Sequence, residues 1–235
     1  MTDRTTPSSP LIIAIDGPAG SGKSTLALRL AQRLGCTLLD TGAIYRALAL
    51  LARRSGADWG DGPALARLAS SLRVSFSLEG DVNRVFVEGE DLSDAIRTPE
   101  ISRGSSEVSR HPEVREALLA LQRELAAAGS LVTEGRDTTT VVFPEAQVKV
   151  FLLADARVRA ERRQRQLAAA GHVVELEEVL AAEEARDRSD AERAVAPLRQ
   201  APDAVVLDTT RLSVEEAIQR VLALCSPFDS PGTGR

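Results

Sequence analysis

A chain of 235 residues, 43% hydrophobic and 27% charged, can bury one sizeable α/β domain with a modest insertion, or two small domains. A net charge of −5 argues against a broad nucleic-acid surface or an anionic-membrane partner. Cys36 and Cys225 are too few for a disulfide framework or a zinc site. The first ten residues lack the apolar core of a signal peptide and no apolar run could span a bilayer, so a cytosolic protein is expected.

Residues 1–10 and 226–235 are rich in Pro, Ser, Thr and Gly and are expected to be disordered tails. Between them strand-like runs alternate with helical ones, the pattern of an α/β fold with a mostly parallel sheet and helices on its faces. LIIAID at 11–16 reads as a buried strand ending at Gly17. From Lys23 onward Leu26, Leu30 and Leu34 recur every four residues and Gly35 follows as a stop, which predicts an amphipathic helix. CTLLD at 36–40 predicts a second strand, and 42–54 a second helix. Within 73–91, VSFSL and RVFVE alternate apolar and polar residues around the turn segment EGDVN, which predicts a hairpin. An antiparallel hairpin inside such a series points to an inserted subdomain over about 60–105. Pro112 opens a helix with Val114, Leu118, Leu121 and Leu125 on one face. SLVTEG at 130–135 and VKVFLL at 148–153 follow as strands, then charged helices over about 155–169 and 175–191. The strand DAVVLD at 203–208 and a helix opening with the capping box Ser213–Glu216 complete the series.

The sharpest motif is GPAGSGKST at 17–25, which fits G-x-x-x-x-G-K-[ST] and lies between a buried strand and a helix. Glycines let the backbone fold round a phosphate with successive N–H groups pointing inward, and the helix N-terminus adds its partial positive charge. Among 29 basic residues only Lys23 and Lys149 are lysine. A lysine retained in this loop fits a compact point charge at a phosphate, where arginine's broad fork would fit poorly. Ser24 is placed to help hold Mg²⁺, partly through water.

The acceptor must be read from the remaining motifs. LLDTGAIYRALA at 38–49 sets Thr41, Tyr45 and Arg46 where a strand ends and a helix begins, the place where ligands gather in a doubly wound sheet. TEGRDTTTVVFP at 133–144 ends another strand with Arg136 and Asp137. ARDRSDAERAVAPL at 185–198 carries Arg186, Asp190 and Arg193, whose spacing also suits an ordinary surface charge ladder.

Taken with EGEDLSDAIRTPEIS, these segments resemble, in order over residues 11–225, the bacterial cytidylate kinases, a branch of the nucleoside monophosphate kinases. The resemblance implies a single P-loop kinase domain over 11–225, with residues 60–105 as a nucleoside-monophosphate-binding insert and 155–170 as a helical lid. It implies in-line transfer of the γ-phosphoryl group of ATP to CMP or dCMP with Mg²⁺, by a monomer with no nucleic-acid or membrane partner. Gly17, Pro18, Ala19, Gly20, Ser21, Gly22, Lys23, Ser24 and Thr25 would hold ATP, with Arg159, Arg162 and Arg163 in the lid. Arg46, Arg136 and Arg193 would clamp the CMP phosphate beside Tyr45. Thr41, Arg186 and Asp190 would lie near the ribose, and Ser106, Arg115 and Asp137 would read cytosine. Two positions depart from the family: Thr41 stands where serine is common, and Thr139 where glycine is usual.

Other readings lack support. A regulatory GTPase would show a base-reading N-K-x-D segment late in the chain, and asparagine occurs only at Asn83. His111 and His172 have no ligand companions and read as surface or capping residues; Trp59 reads as packing.

Overall fold

A computed structural model describes residues 10–169 and 171–228 of the chain. The expected tails therefore lie outside the described residues over 1–9 and 229–235. Ser226–Phe228, expected in the second tail, instead form a 3-10 turn at the end of the last helix.

Among the described residues, β1 (Ile12–Asp16), β2 (Thr37–Asp40), β6 (Leu131–Gly135), β7 (Val148–Leu153) and β8 (Val205–Asp208) form a parallel sheet in the order β2-β6-β1-β7-β8. Its central strands are nearly continuous apolar runs because helices cover both faces. Alternate strand residues face opposite layers. Ile13, Ile15, Val132, Val150 and Leu152 pack with Leu26, Ala27 and Leu30 of α1 (Lys23–Leu34) and with Ile218 and Val221 of α8 (Val214–Cys225). Ala14, Leu39 and Leu131 face the other layer, where α2 (Thr41–Ser55), α3 (Gly62–Ser70), α4 (Pro99–Val108) and α5 (Pro112–Ala126) pack. Leu30 is fully buried, so truncation to alanine there should cost roughly 2–5 kcal/mol.

The predicted hairpin is β3 (Val74–Glu79) and β4 (Val82–Val87), extended by the short β5 (Glu90–Asp91). Its tip is fastened to the body of the domain. Arg29 of α1 pairs with Asp81 at 2.6 Å, Gln32 Nε2 donates to Gly80 O at 2.5 Å, and Asn83 Nδ2 donates to Leu38 O at 3.3 Å.

Helix α4 carries no helical periodicity that sequence reading could find, because PEISRGSSEV is rich in serine and glycine. Packing overrides propensity there. Thr98 caps the helix through Ile101 N, Ile101 and Val108 are buried, and Gly104 lies flat against the Trp59 ring. A Cβ on Gly104 would stand 2.4 Å from a ring carbon of Trp59. The charged helices are α6 (Ala156–Ala169) and α7 (Leu176–Glu192), within a residue or two of their predicted limits.

Candidate active site

A cleft opens at the carboxyl ends of β1, β2 and β6, roofed by α4, α6 and α7, and its wall includes Lys23, Thr41, Arg46, Asp137 and Arg186. This is where a doubly wound sheet gathers ligands. The loop between β1 and α1 enters it on Gly17, whose φ of 151° and whose close approach to β7 both exclude a side chain. A Cβ at Gly17 would lie 2.3 Å from Leu152 O. Lys23 folds back over the loop, with Nζ donating to Pro18 O at 2.7 Å and to Ser21 Oγ at 3.5 Å. Burial, then the Arg136 charge, lower the Lys23 pKa to about 7, against the opposing pull of Glu134 and Asp16. An anion beside it would reverse that shift.

Ser24 Oγ donates to Glu134 Oε1 at 2.5 Å, and Glu134 is buried at the end of β6. Burial first, then the Asp40 carboxylate, raise the Glu134 pKa, while Lys23 and the Ser24 hydrogen bond pull it down. A hydroxyl and a carboxylate at the mouth of a phosphate loop fit a hard divalent cation that keeps several waters and shares the substrate's phosphates. Among the described residues there is no cluster of three or more acidic, histidine or cysteine ligands.

The arginines form a second cationic wall. Arg46 Nη2 donates to Asp40 Oδ2 at 2.9 Å, and Asp40 also caps α2 through Ala43 N at 2.8 Å. Arg136 Nε donates to Asp190 Oδ2 at 2.8 Å. Arg193 donates through Nε to Ala196 O at 2.6 Å and lies 3.7 Å from Asp190 and 4.0 Å from Asp137. Arg46 Nε, Arg186 Nε and Arg193 Nη2 are buried with no hydrogen-bond partner among the described residues. Burial and then Arg136 lower the Arg186 pKa. Several guanidinium N–H groups are thus held out of water with nothing to donate to, the condition that an anionic ligand relieves.

Asp137 and Arg115 are both buried and bonded to each other, Arg115 Nη2 to Asp137 Oδ2, at 2.5 Å. The Arg115 guanidinium lies 5.4 Å from the Tyr45 ring centroid, a cation–π distance. Burial pushes the Tyr45 phenol up to about 12, so it remains a neutral donor at ordinary pH. Thr41 Oγ1 donates to Glu134 O at 2.9 Å, which ties the start of α2 to the end of β6. Ser106 lines the cleft with Ser102 and Ser105 of α4 and with Ser109, the residue that caps the helix at its C-terminus.

The three arginines expected in a lid part company. Arg163 reaches the cleft wall and donates to Gln166 Oε1 at 3.4 Å. Arg159 is buried, donating to Ala19 O at 3.1 Å and to Asp187 at 2.6 Å, and so braces the phosphate loop against α7. Arg162 donates to Thr209 O at 2.7 Å. Thr25 is exposed on α1, and Gly17, Pro18, Ser21 and Gly22 contribute backbone shape to the loop. Sequence reasoning passed over Asp16, Asp40 and Glu134, although all three are acids ending neighbouring parallel strands and that position was their signal. The segment after Asp137 is a single π-helical turn, Thr138–Val142. Thr139 sits in it without a positive φ, so the departure from glycine introduces no backbone strain.

The cytidylate kinase family profile matches residues 13–226, nearly all of the described chain. The chain belongs to the cytidylate kinase family. It is 50% identical over 212 residues to a cytidylate kinase from Syntrophotalea carbinolica, covering 90% of each chain. It is 46% identical over 225 residues to one from Azotobacter vinelandii, covering 95% of this chain and 98% of that one. A solved structure of an uncharacterized protein from Eubacterium ventriosum shares the fold at a TM-score of 0.52 and 13% identity, over 94% of this chain and 99% of that one. The cleft is walled on one side by the sheet ends and the loop leading into α1, and on the other by α4, α6 and α7.

Proposed function

We propose that this enzyme transfers the γ-phosphoryl group of ATP to CMP and dCMP, releasing ADP with CDP or dCDP. The observation that carries the reading is the pair of buried guanidinium Nε atoms of Arg46 and Arg186, without a hydrogen-bond partner among the described residues and lining one cleft with the phosphate loop, while Arg193 stands behind them against Asp137 and Asp190. One loop can hold a donor; a second cationic wall is needed only if a second anion must be brought beside it. Gly17 to Thr25 would cradle the ATP phosphates, with Lys23 as the mobile point charge and Arg163 closing from the lid. Arg46, Arg136 and Arg193 would clamp the CMP phosphate, with Thr41, Arg186 and Asp190 near the ribose.

Direct transfer needs alignment of two anions that repel one another, and neutralisation of charge on the moving group. The rigid Arg136–Asp190 and Arg46–Asp40 pairs supply alignment without reorganisation at the moment of reaction. Ser24 and Glu134 would hold Mg²⁺. Bound there, the ion would neutralise charge shared between the β- and γ-phosphates. Asp137 would accept from cytosine N4, while Arg115 would donate to its ring acceptors, with Ser106 beside them. We take the enzyme to be a cytosolic monomer, and the net charge of −5 gives no support to a nucleic-acid or anionic-membrane partner. Among the described residues no helix is long and apolar enough to cross a membrane.

The test is a panel of CMP, dCMP, UMP, AMP and shikimate with ATP and Mg²⁺. CMP should give the highest kcat/KM, and a preference for any acceptor without cytosine would overturn the reading.

A further inference from the structure

The strand β1 ends on Asp16, the residue immediately before Gly17 of the phosphate loop. Its side chain is fully buried and points to the π-helical turn that follows Arg136 and Asp137. Oδ1 accepts from Thr138 N at 2.9 Å and from Thr138 Oγ1 at 2.7 Å. Oδ2 accepts from Thr139 N at 2.7 Å and from Thr139 Oγ1 at 2.7 Å. Each oxygen is thus gripped twice by one threonine, and the carboxylate's capacity for in-plane donors is filled. The turn itself closes on the carbonyl of Asp137, which accepts from Val141 N at 2.9 Å and Val142 N at 3.1 Å.

The residues on either side of this contact explain what it is for. One covalent bond from Asp16 begins the loop that holds the donor. One residue back from Thr138 is Asp137, paired with Arg115, and before it Arg136, paired with Asp190. A sheet-ending carboxylate with four donors is far stiffer than a loop held by backbone contacts alone, because charge-assisted hydrogen bonds are short and directional. Neither threonine hydroxyl reaches the cleft; both are spent on Asp16.

We propose that Asp16, gripped by Thr138 and Thr139, is a positioning residue that sets Arg136 and Asp137 relative to the phosphate loop, and so governs acceptor alignment and base discrimination together. The proposal rests on the acceptor assignment above, with the CMP phosphate at Arg136 and cytosine at Asp137. It predicts that the hydroxyl of Thr139, and not merely its bulk, matters to the side chains of Arg136 and Asp137, three and two residues before it.

The experiment compares wild type with Thr139→Val, Thr139→Ser and the double variant Thr138→Val/Thr139→Val. Each is assayed for kcat and KM with ATP, CMP and UMP, beside a thermal melt. Valine keeps the shape and deletes the hydroxyl, whereas serine keeps the hydroxyl. The expected result is a tenfold or greater fall in kcat/KM for CMP in Thr139→Val, a smaller CMP-over-UMP ratio, KM for ATP within twofold of wild type, and recovery in Thr139→Ser. The double variant should lose more. Asp16→Asn should be the most impaired, since an amide NH₂ would face two donors, but the threonine variants decide the matter even if that protein does not fold. Valine variants with wild-type turnover and base preference would overturn the proposal and leave the acceptor assignment standing. So would equal impairment by valine and serine, or a loss that falls equally on ATP. A wild-type enzyme indifferent between CMP and UMP would instead overturn the acceptor assignment, and this proposal with it.

Discussion

Arg136 Nε and Asp190 Oδ2 meet at 2.8 Å, joining the end of β6 to the end of α7 across 54 residues of chain. The bond is also electrostatic. Burial tends to raise the Asp190 pKa, but the Arg136 charge and hydrogen bond outweigh it, with Arg186 and Arg193 adding, and the carboxyl is held below its ordinary range. A depressed acid contributes stability that is present above its unfolded pKa near 3.8 and is lost as pH falls through the lower folded value.

Asp190→Asn should therefore release Arg136 without removing any group proposed to touch the phosphate. Losing a hydrogen bond between charged groups is worth about 1.5–3 kcal/mol, so kcat/KM for CMP should fall roughly tenfold to a hundredfold. KM for ATP should change little. Steady-state kinetics in both substrates check this, and an equal loss for ATP would contradict the clamp.

Lys23, with a pKa near 7 in the empty cleft, should take up a proton when nucleotide phosphates arrive. The sign follows from the shift. Between pH 7 and the ordinary lysine value of 10.5 the unfolded chain binds the proton and the empty enzyme does not, so stability of the empty enzyme should rise with pH in that window. Calorimetry of ATP binding at pH 8.5, in buffers of different ionisation heat, should show net uptake approaching one proton. Lys23→Ala should abolish that uptake and lower kcat by at least about 10²–10³, as loss of one charge-stabilising donor does elsewhere. A circular dichroism melt would confirm an intact fold.

The base assignment predicts strong preference for CMP over UMP. Uracil would set a carbonyl against Asp137 and an N–H against Arg115, and two unpaired buried polar groups at roughly 1–3 kcal/mol each give about 10²-fold discrimination or more. In Asp137→Asn the amide oxygen can still receive Arg115, leaving its NH₂ to meet the uracil carbonyl. The ratio of kcat/KM for the two acceptors should drop in that variant, and an unchanged ratio would place base reading elsewhere.

Substrate binding should order α6 and α4 more than the hairpin. Among the described residues the hydrogen-bond partner of Arg163 is the exposed Gln166, whereas the hairpin tip is pinned to α1 by Arg29 and Gln32. Hydrogen exchange with and without a bisubstrate analogue should show new protection over 155–170 and around Ser102–Ser109, with residues 79–83 little changed. Uniform protection across 60–105 would mean that the insert moves as one body.

Much of this was legible in the sequence. Period-four leucines gave α1, and a glycine-rich stretch between strand and helix gave the loop. Motif resemblance named Arg46, Arg136, Asp137 and Arg186, which the fold brings to one cleft. Local reading could not separate α4 from loop, because its helicity depends on Gly104 meeting Trp59, and that contact joins residues 45 positions apart. Nor could it tell that Arg159 braces the loop while Arg163 faces the cleft. Both are arginines on one helix, and only the packing of α6 against α7 distinguishes them.

The Trp59–Gly104 contact has a practical side. Trp59 is the chain's single tryptophan, and its indole N–H donates to Ala49 O at 2.9 Å, so one fluorophore is fixed in one orientation. The helix lying on its ring is the one whose opposite face carries serines into the cleft. Any rearrangement of α4 on acceptor binding will alter the emission of that indole. The enzyme thus carries a native optical reporter, and CMP affinity can be titrated by intrinsic fluorescence with no label attached and no phosphoryl transfer taking place.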